Sequence, residues 1–136
     1  MSWIEFLQDA RSVRAIYGDV IPNLSEVEVH EIRFDTRGSS VILRLDLADY
    51  PLNPPPKWVE QQANTVQIEL HFSEVRGVEL SGWGTERRAS LHVDEAPGSG
   101  YEVACIGASR LKMVARWIAI RKISAHQSAG LGGGVA

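Results

Sequence analysis

The alternation of apolar and polar positions is densest between Glu26 and Leu47. In its second arm Val41, Leu43, Leu45 and Leu47 share one parity, while Arg44 and Asp46 take the other. In its first arm Val27 and Val29 begin on one parity, and Ile32 and Phe34 continue on the other. The connection Thr36-Arg37-Gly38-Ser39-Ser40 is short and polar and contains glycine, so the stretch predicts an antiparallel hairpin. Side chains along a strand alternate with period two, so the change of parity requires one extra residue. The pattern therefore places a β-bulge at His30-Glu31, with acidic residues on the wet face of the hairpin.

The same reading extends along the chain. Ser2 and Glu5 stand at capping-box spacing, and Trp3, Phe6, Leu7 and Ala10 follow at helical intervals. A short amphipathic helix is expected there, extended by Val13, Ile16 and Tyr17 and stopped by Gly18. Pro51, Pro54, Pro55 and Pro56 exclude a central strand, since proline lacks the ladder donor. They predict a stiff exposed loop ending at Trp58. Trp58 is either an anchor in the core or a contact residue, and the anchor is preferred because a lone tryptophan is usually well buried. Val66 to Phe72 alternates cleanly and predicts a strand. Val75, Val78 and Leu80 continue the sheet past a turn or bulge at Arg76-Gly77, and Gly82-Trp83-Gly84 ends it. Ala89, Leu91 and Val93 form the next strand, and Tyr101 to Ile106 another. Leu111 to Ile123 fits a helix and a strand equally well. The strand is preferred, because the meander before it needs a partner. The expected fold is mainly β: a short N-terminal helix, then about seven antiparallel strands in a curled sheet, sandwich or open barrel.

Length changes this picture little. A chain of 136 residues is enough for one domain with a real core. A single domain over residues 1–126 is expected, with a flexible glycine-rich tail over 127–136. No run of about eighteen apolar residues exists, and the N-terminus lacks the basic-then-apolar pattern of a signal peptide. Cys105 is the one cysteine and sits among Val103, Ala104 and Ile106, which predicts a buried hydrophobe in a reducing cytoplasm. Charge is informative. Residues 1–100 carry 16 Asp/Glu against 9 Lys/Arg, a net −7, whereas residues 101–136 carry one against five, a net +4. Such an acidic surface disfavours nucleic acid and suits a cationic partner.

Candidate chemistry is sparse. His30, His71, His92 and His126 are scattered, with no pair at metal-ligand spacing, so no metal is expected. His30 stands out because a bulge re-aims its side chain. Glu26, Glu28, Glu31 and Asp46 fall on the wet face, where little separates their proton affinities, so no acid–base pair is expected. Gly82-Trp83-Gly84 has neither the lysine nor the following helix of a phosphate loop. No catalytic residue and no cofactor is assigned.

In order and spacing, a set of short motifs matches a known pattern. They are Trp3-Ile4, Tyr17-Gly18-Asp19, Ile21-Pro22-Asn23-Leu24, Val29-His30-Glu31-Ile32, Leu43-Arg44-Leu45-Asp46-Leu47, Asn53-Pro54-Pro55 through Trp58, and Gly82-Trp83. Together they resemble the immunity protein 50 family of bacterial polymorphic toxin systems. The resemblance implies a small, mostly β cytoplasmic protein that binds and blocks a cognate toxin domain. It supplies no catalytic residues. Beside it, the residues themselves suggest where such a partner would dock. Glu26, Glu28, Glu31 and Asp46 would form an acidic face. Asn53, Pro55 and Lys57 would form a rigid projection, with Trp58 or Trp83 as aromatic anchor. Two other readings stand. One is a small-molecule or glycan-binding β module with Trp58 or Trp83 lining a pocket. The other is an enzyme built on His30 with Asp35 or Glu31, which requires those groups to converge.

Overall fold

The predicted hairpin is the spine of the fold. In the computed structural model, which describes residues 2–128, β1 (Val27–Asp35) pairs with β2 (Ser40–Asp46). The register runs Glu28 to Asp46 and Val29 to Leu45, then shifts so that Glu31 faces Arg44 and Ile32 faces Leu43. His30 is the extra residue, as the change of parity requires. Bulging returns Ile32 to the face of Leu43, which is fully buried. Six further strands follow: β3 (Thr65–Ser73), β4 (Arg76–Ser81), β5 (Arg88–Glu95), β6 (Tyr101–Gly107), β7 (Arg110–Ala115) and β8 (Trp117–His126). All neighbours are antiparallel, in the order β4-β7-β6-β5-β1-β2-β3-β8, and the sheet is not closed.

The fold is thus mainly β, as expected, with eight strands described. The eighth arises because the ambiguous segment is two strands. Leu111, Met113 and Ala115 of β7 pair with Cys105, Val103 and Tyr101 of β6, the strand option preferred from sequence. The chain then turns at Arg116, whose N–H donates to Ser73 O at 3.1 Å, and β8 runs along the free side of β3. Chain continuity through Glu74-Val75 and through Arg116 ties the two halves of the sheet together. One apolar cluster accordingly draws on both, from Val41, Leu43, Leu45, Ile68 and Phe72 to Leu91, Val103, Leu111 and Met113. Cys105 is in that cluster, and burial pushes its thiol up to about 11, which keeps it protonated and inert.

The N-terminal helix is not continuous. A 3₁₀ turn covers Trp3–Phe6, with Ser2 N donating to the Glu5 carboxylate, and then the chain extends at Leu7. Leu7 bridges Ile118, and Gln8 N donates to Ile118 O at 2.8 Å, so this segment occupies the outer edge of β8. Only after Asp9, which accepts from Arg11 N, does α1 (Arg11–Tyr17) begin. Pairing with the sheet edge keeps Leu7 and Gln8 out of the helix. Gly18, at φ 63°, ends α1 as predicted. The proline loop also holds a helix that the sequence reading missed, α2 (Pro56–Glu60), with Pro56 at its first position, where a missing N–H costs nothing. The expected glycine-rich tail falls, from residue 129 onward, outside the described residues. Among the described residues no helix is long and apolar enough to cross a membrane.

Candidate functional site

The weakest joint of the sheet lies between β1 and β5. β1 meets β5 at only two register pairs, Val27 with Ala89 and Glu28 with Arg88. Beside this joint lies a groove of about 490 Å³. One wall carries Ser25, Glu26 and Glu28 at the start of β1, and another carries Asp46, Leu47 and Ala48 at the end of β2. Arg88 and Ser90 of β5, Thr65 of β3 and Ser128 complete its polar lining. Three of the four acids singled out from sequence therefore converge. Glu26 is exposed, and Glu28 is partly shielded and lies 3.8 Å from the Arg87 guanidinium. Glu31, past the bulge, pairs instead with Arg44 at 3.5 Å and Arg33 at 3.9 Å.

Asp46 does not lie on a wet face. It is 5 % exposed, so its carboxylate is not available for direct docking on a partner surface. Its oxygens are held by three side chains. His30 Nε2 is 2.8 Å from Oδ2, and Gln67 Nε2 and His126 Nε2 are 3.0 and 3.1 Å from Oδ1. Burial alone would push this carboxyl up. The hydrogen bonds from Gln67, His30 and His126 outweigh burial and hold it below its ordinary value. The bulge explains the cluster, since it turns His30 towards β2, while antiparallel pairing sets Gln67 directly opposite Asp46. His126 arrives from the far end of β8. Gln67 and His126 were missed as site neighbours. Gln67 could have been found by setting the two best strands in register. His126 reaches the site only through the long-range pairing of β8 with β3, which no local pattern announces.

This cluster answers the question raised by His30. Asp35 pairs with Arg37 at 3.1 Å and Glu31 with Arg44, so neither converges with His30. Its carboxylate partner is Asp46. Among the described residues no group of three or more His, Cys, Asp or Glu is arranged to hold a metal ion.

The remaining predicted contacts are dispersed. Asn53 and Lys57 are exposed and Pro55 is half-buried, on the segment that leaves the groove wall at Ala48. That segment is pinned at its start, where Tyr17 Oη donates to Asp49 O at 2.7 Å and Asn23 N donates to the Asp49 carboxylate. Trp58 is 9 % exposed, with its ring 6.4 Å from that of Tyr50. It is the core anchor and not a free contact. Trp83 is 54 % exposed, beside a small cavity lined by Val29, Ile32, Cys105 and Leu111. Neither tryptophan lines the acidic groove, so the groove lacks the aromatic wall that the glycan reading requires.

Fold and site together define an antiparallel β protein with an acidic groove at an incomplete strand joint. The chain belongs to the immunity protein 50 family, whose model matches residues 9–126. Neither a curated protein nor a solved structure matches it.

Proposed function

We propose that this protein is an immunity protein of a bacterial polymorphic toxin system. It binds a cognate toxin domain, neutralises it, and so protects the producing cell from within the cytoplasm. The observation that carries this reading is membership of the immunity protein 50 family across residues 9–126. The convergence of Glu26 and Glu28 at the groove supports it. A toxin that attacks nucleic acid presents a cationic cleft, and an acidic surface steers encounter with such a cleft and opposes wrong partners. Blocking of this kind requires complementarity and neither a catalytic group nor a cofactor.

In this reading Glu26, Glu28 and Glu31 contact the toxin directly. Asn53, Pro55 and Lys57 form a stiff shoulder, and Trp83 offers an exposed aromatic face. Asp46 and Trp58 act from beneath the surface, by holding β1, β2 and the proline segment in place. The test is calorimetric titration of the toxin domain encoded beside this chain's gene, at low and moderate salt. The triple variant E26K/E28K/E31K is expected to bind at least tenfold more weakly, with wild-type affinity falling as salt rises. Unchanged affinity in the triple variant would remove the acidic face from the interface.

A further inference from the structure

We propose that the unpaired edges of β1 and β4 form a slot that accepts one extended segment of the toxin as an added strand. This inference rests on the toxin-binding reading and specifies the mode of contact. β1 pairs with β2 along its whole length, but its other edge meets β5 only at Val27 and Glu28. From Glu31 to Asp35 that edge has no strand partner among the described residues. Among the described residues β4 pairs with β7 alone, and all six of its residues are exposed.

The two free edges belong to one place. The chain entering β4 is bonded to the β1–β2 turn, with Glu74 N donating to Gly38 O and Val75 N to Ser39 O, both at 2.9 Å. The chain leaving β4 comes back to β1. There Trp83 shares a cavity with Val29 and Ile32, and Val29 N donates to Arg87 O at 2.8 Å. β4 is therefore tethered to the β1–β2 turn at its start and, through the chain that leaves it, to Val29 of β1, without pairing with β1. Two rows of unpaired N–H and C=O groups suit one class of occupant, an extended polypeptide.

The side chains agree with this. Phe34 stands opposite the core residue Val41, and Leu80 opposite the core residue Leu111, so both lie on the apolar face of the sheet. Yet they are 52 % and 38 % exposed, and Val78, two positions before Leu80, is 41 % exposed. A guest strand with apolar residues at alternate positions would cover them. Its other side chains would emerge between Arg33 and Glu79. The outer edge of β8, by contrast, is already engaged by Leu7 and Gln8. Glu31 joins the slot to the acidic surface proposed for the toxin. A second copy of the chain, pairing through its own free β4 edge, is the competing occupant that the exchange experiment separates from the toxin segment.

Hydrogen–deuterium exchange of the full chain, alone and with the toxin domain of the adjacent gene, tests the slot. Exchange at Glu31–Asp35 and at Arg76–Ser81 is expected to slow at least tenfold in the complex. The double variant V78K/L80K is expected to bind at least tenfold more weakly, with its own melting temperature unchanged. A complex that leaves both edges exchanging freely overturns the slot while leaving toxin binding intact. Dimerisation without toxin that protects β4 also overturns it, by assigning the edge to a second copy. Failure to form any complex removes the toxin reading and the slot with it.

Discussion

Asp46 shows how much one side chain can tie together. Its carboxylate joins β1 through His30, β3 through Gln67 and β8 through His126, at 5 % exposure. Truncation to alanine leaves three donors facing a void, and each lost partner of a buried polar group is expensive. Asp46→Ala is expected to lower stability by about 2–3 kcal/mol in urea unfolding, whereas Glu26→Ala stays within about 0.5 kcal/mol of wild type. The pH dependence has a definite sign. Because the folded-state pKa of Asp46 is lowered, its ionised form contributes stability above the ordinary carboxyl value, and that contribution is lost as pH falls through the folded value. The stability gap between wild type and Asp46→Asn should therefore be widest above the ordinary carboxyl range and should shrink below it, as followed by urea midpoints between pH 5 and pH 2. Sequence alternation gave the side of the strand on which Asp46 lies. It could not show that this side is covered, because the cover comes from a bulge, a neighbouring strand and a chain segment eighty residues away. The two exposed-or-buried tryptophan readings separate in the same assay. Trp58→Ala should cost about 3–5 kcal/mol, and Trp83→Ala much less.

At the scale of elements, what was legible is what local pattern dictates. The hairpin, the bulge at His30, β3, β5 and β6 each follow from period-two alternation and from turn residues within a few positions. Besides the break in the N-terminal helix, two features were not legible. α2 is a single turn started by Pro56, too short to show helical periodicity. β8 looks locally like a continuation of β7, yet the corner at Arg116 sends it to the opposite end of the sheet. That corner is held from outside the segment. Trp117 Nε1 donates to the Glu74 carboxylate at 2.8 Å, and the Arg116 guanidinium lies over the Trp117 ring. The turn between β5 and β6 makes a sharper demand. Gly100 sits at φ 86°, and a Cβ there would lie 2.6 Å from Ala115 O, backbone that cannot move without disturbing β7. Gly98 has a similar φ of 91° but open space around it. Gly100→Ala is expected to cost roughly 2–3 kcal/mol, combining strain and collision, against roughly 1 kcal/mol for Gly98→Ala. Thermal unfolding of the two variants side by side checks this.

For the whole molecule, the decisive quantities are charge and the incomplete joint between β1 and β5. The acids clustered before residue 100 were visible as a net charge. Their gathering around a groove was not, since it depends on β5 crossing back to the start of β1. The family's name points to a protein toxin as the partner, and the acidic surface is where we propose that it docks. The most direct measurement is growth of cells induced to express the toxin domain from the neighbouring gene, with and without this chain. Wild type is expected to restore growth, E26K/E28K/E31K to fail to do so despite normal folding, and Trp83→Ala to give partial rescue. Growth arrest that wild type fails to relieve, at protein levels confirmed to exceed those of the toxin, would contradict the assignment as its immunity protein.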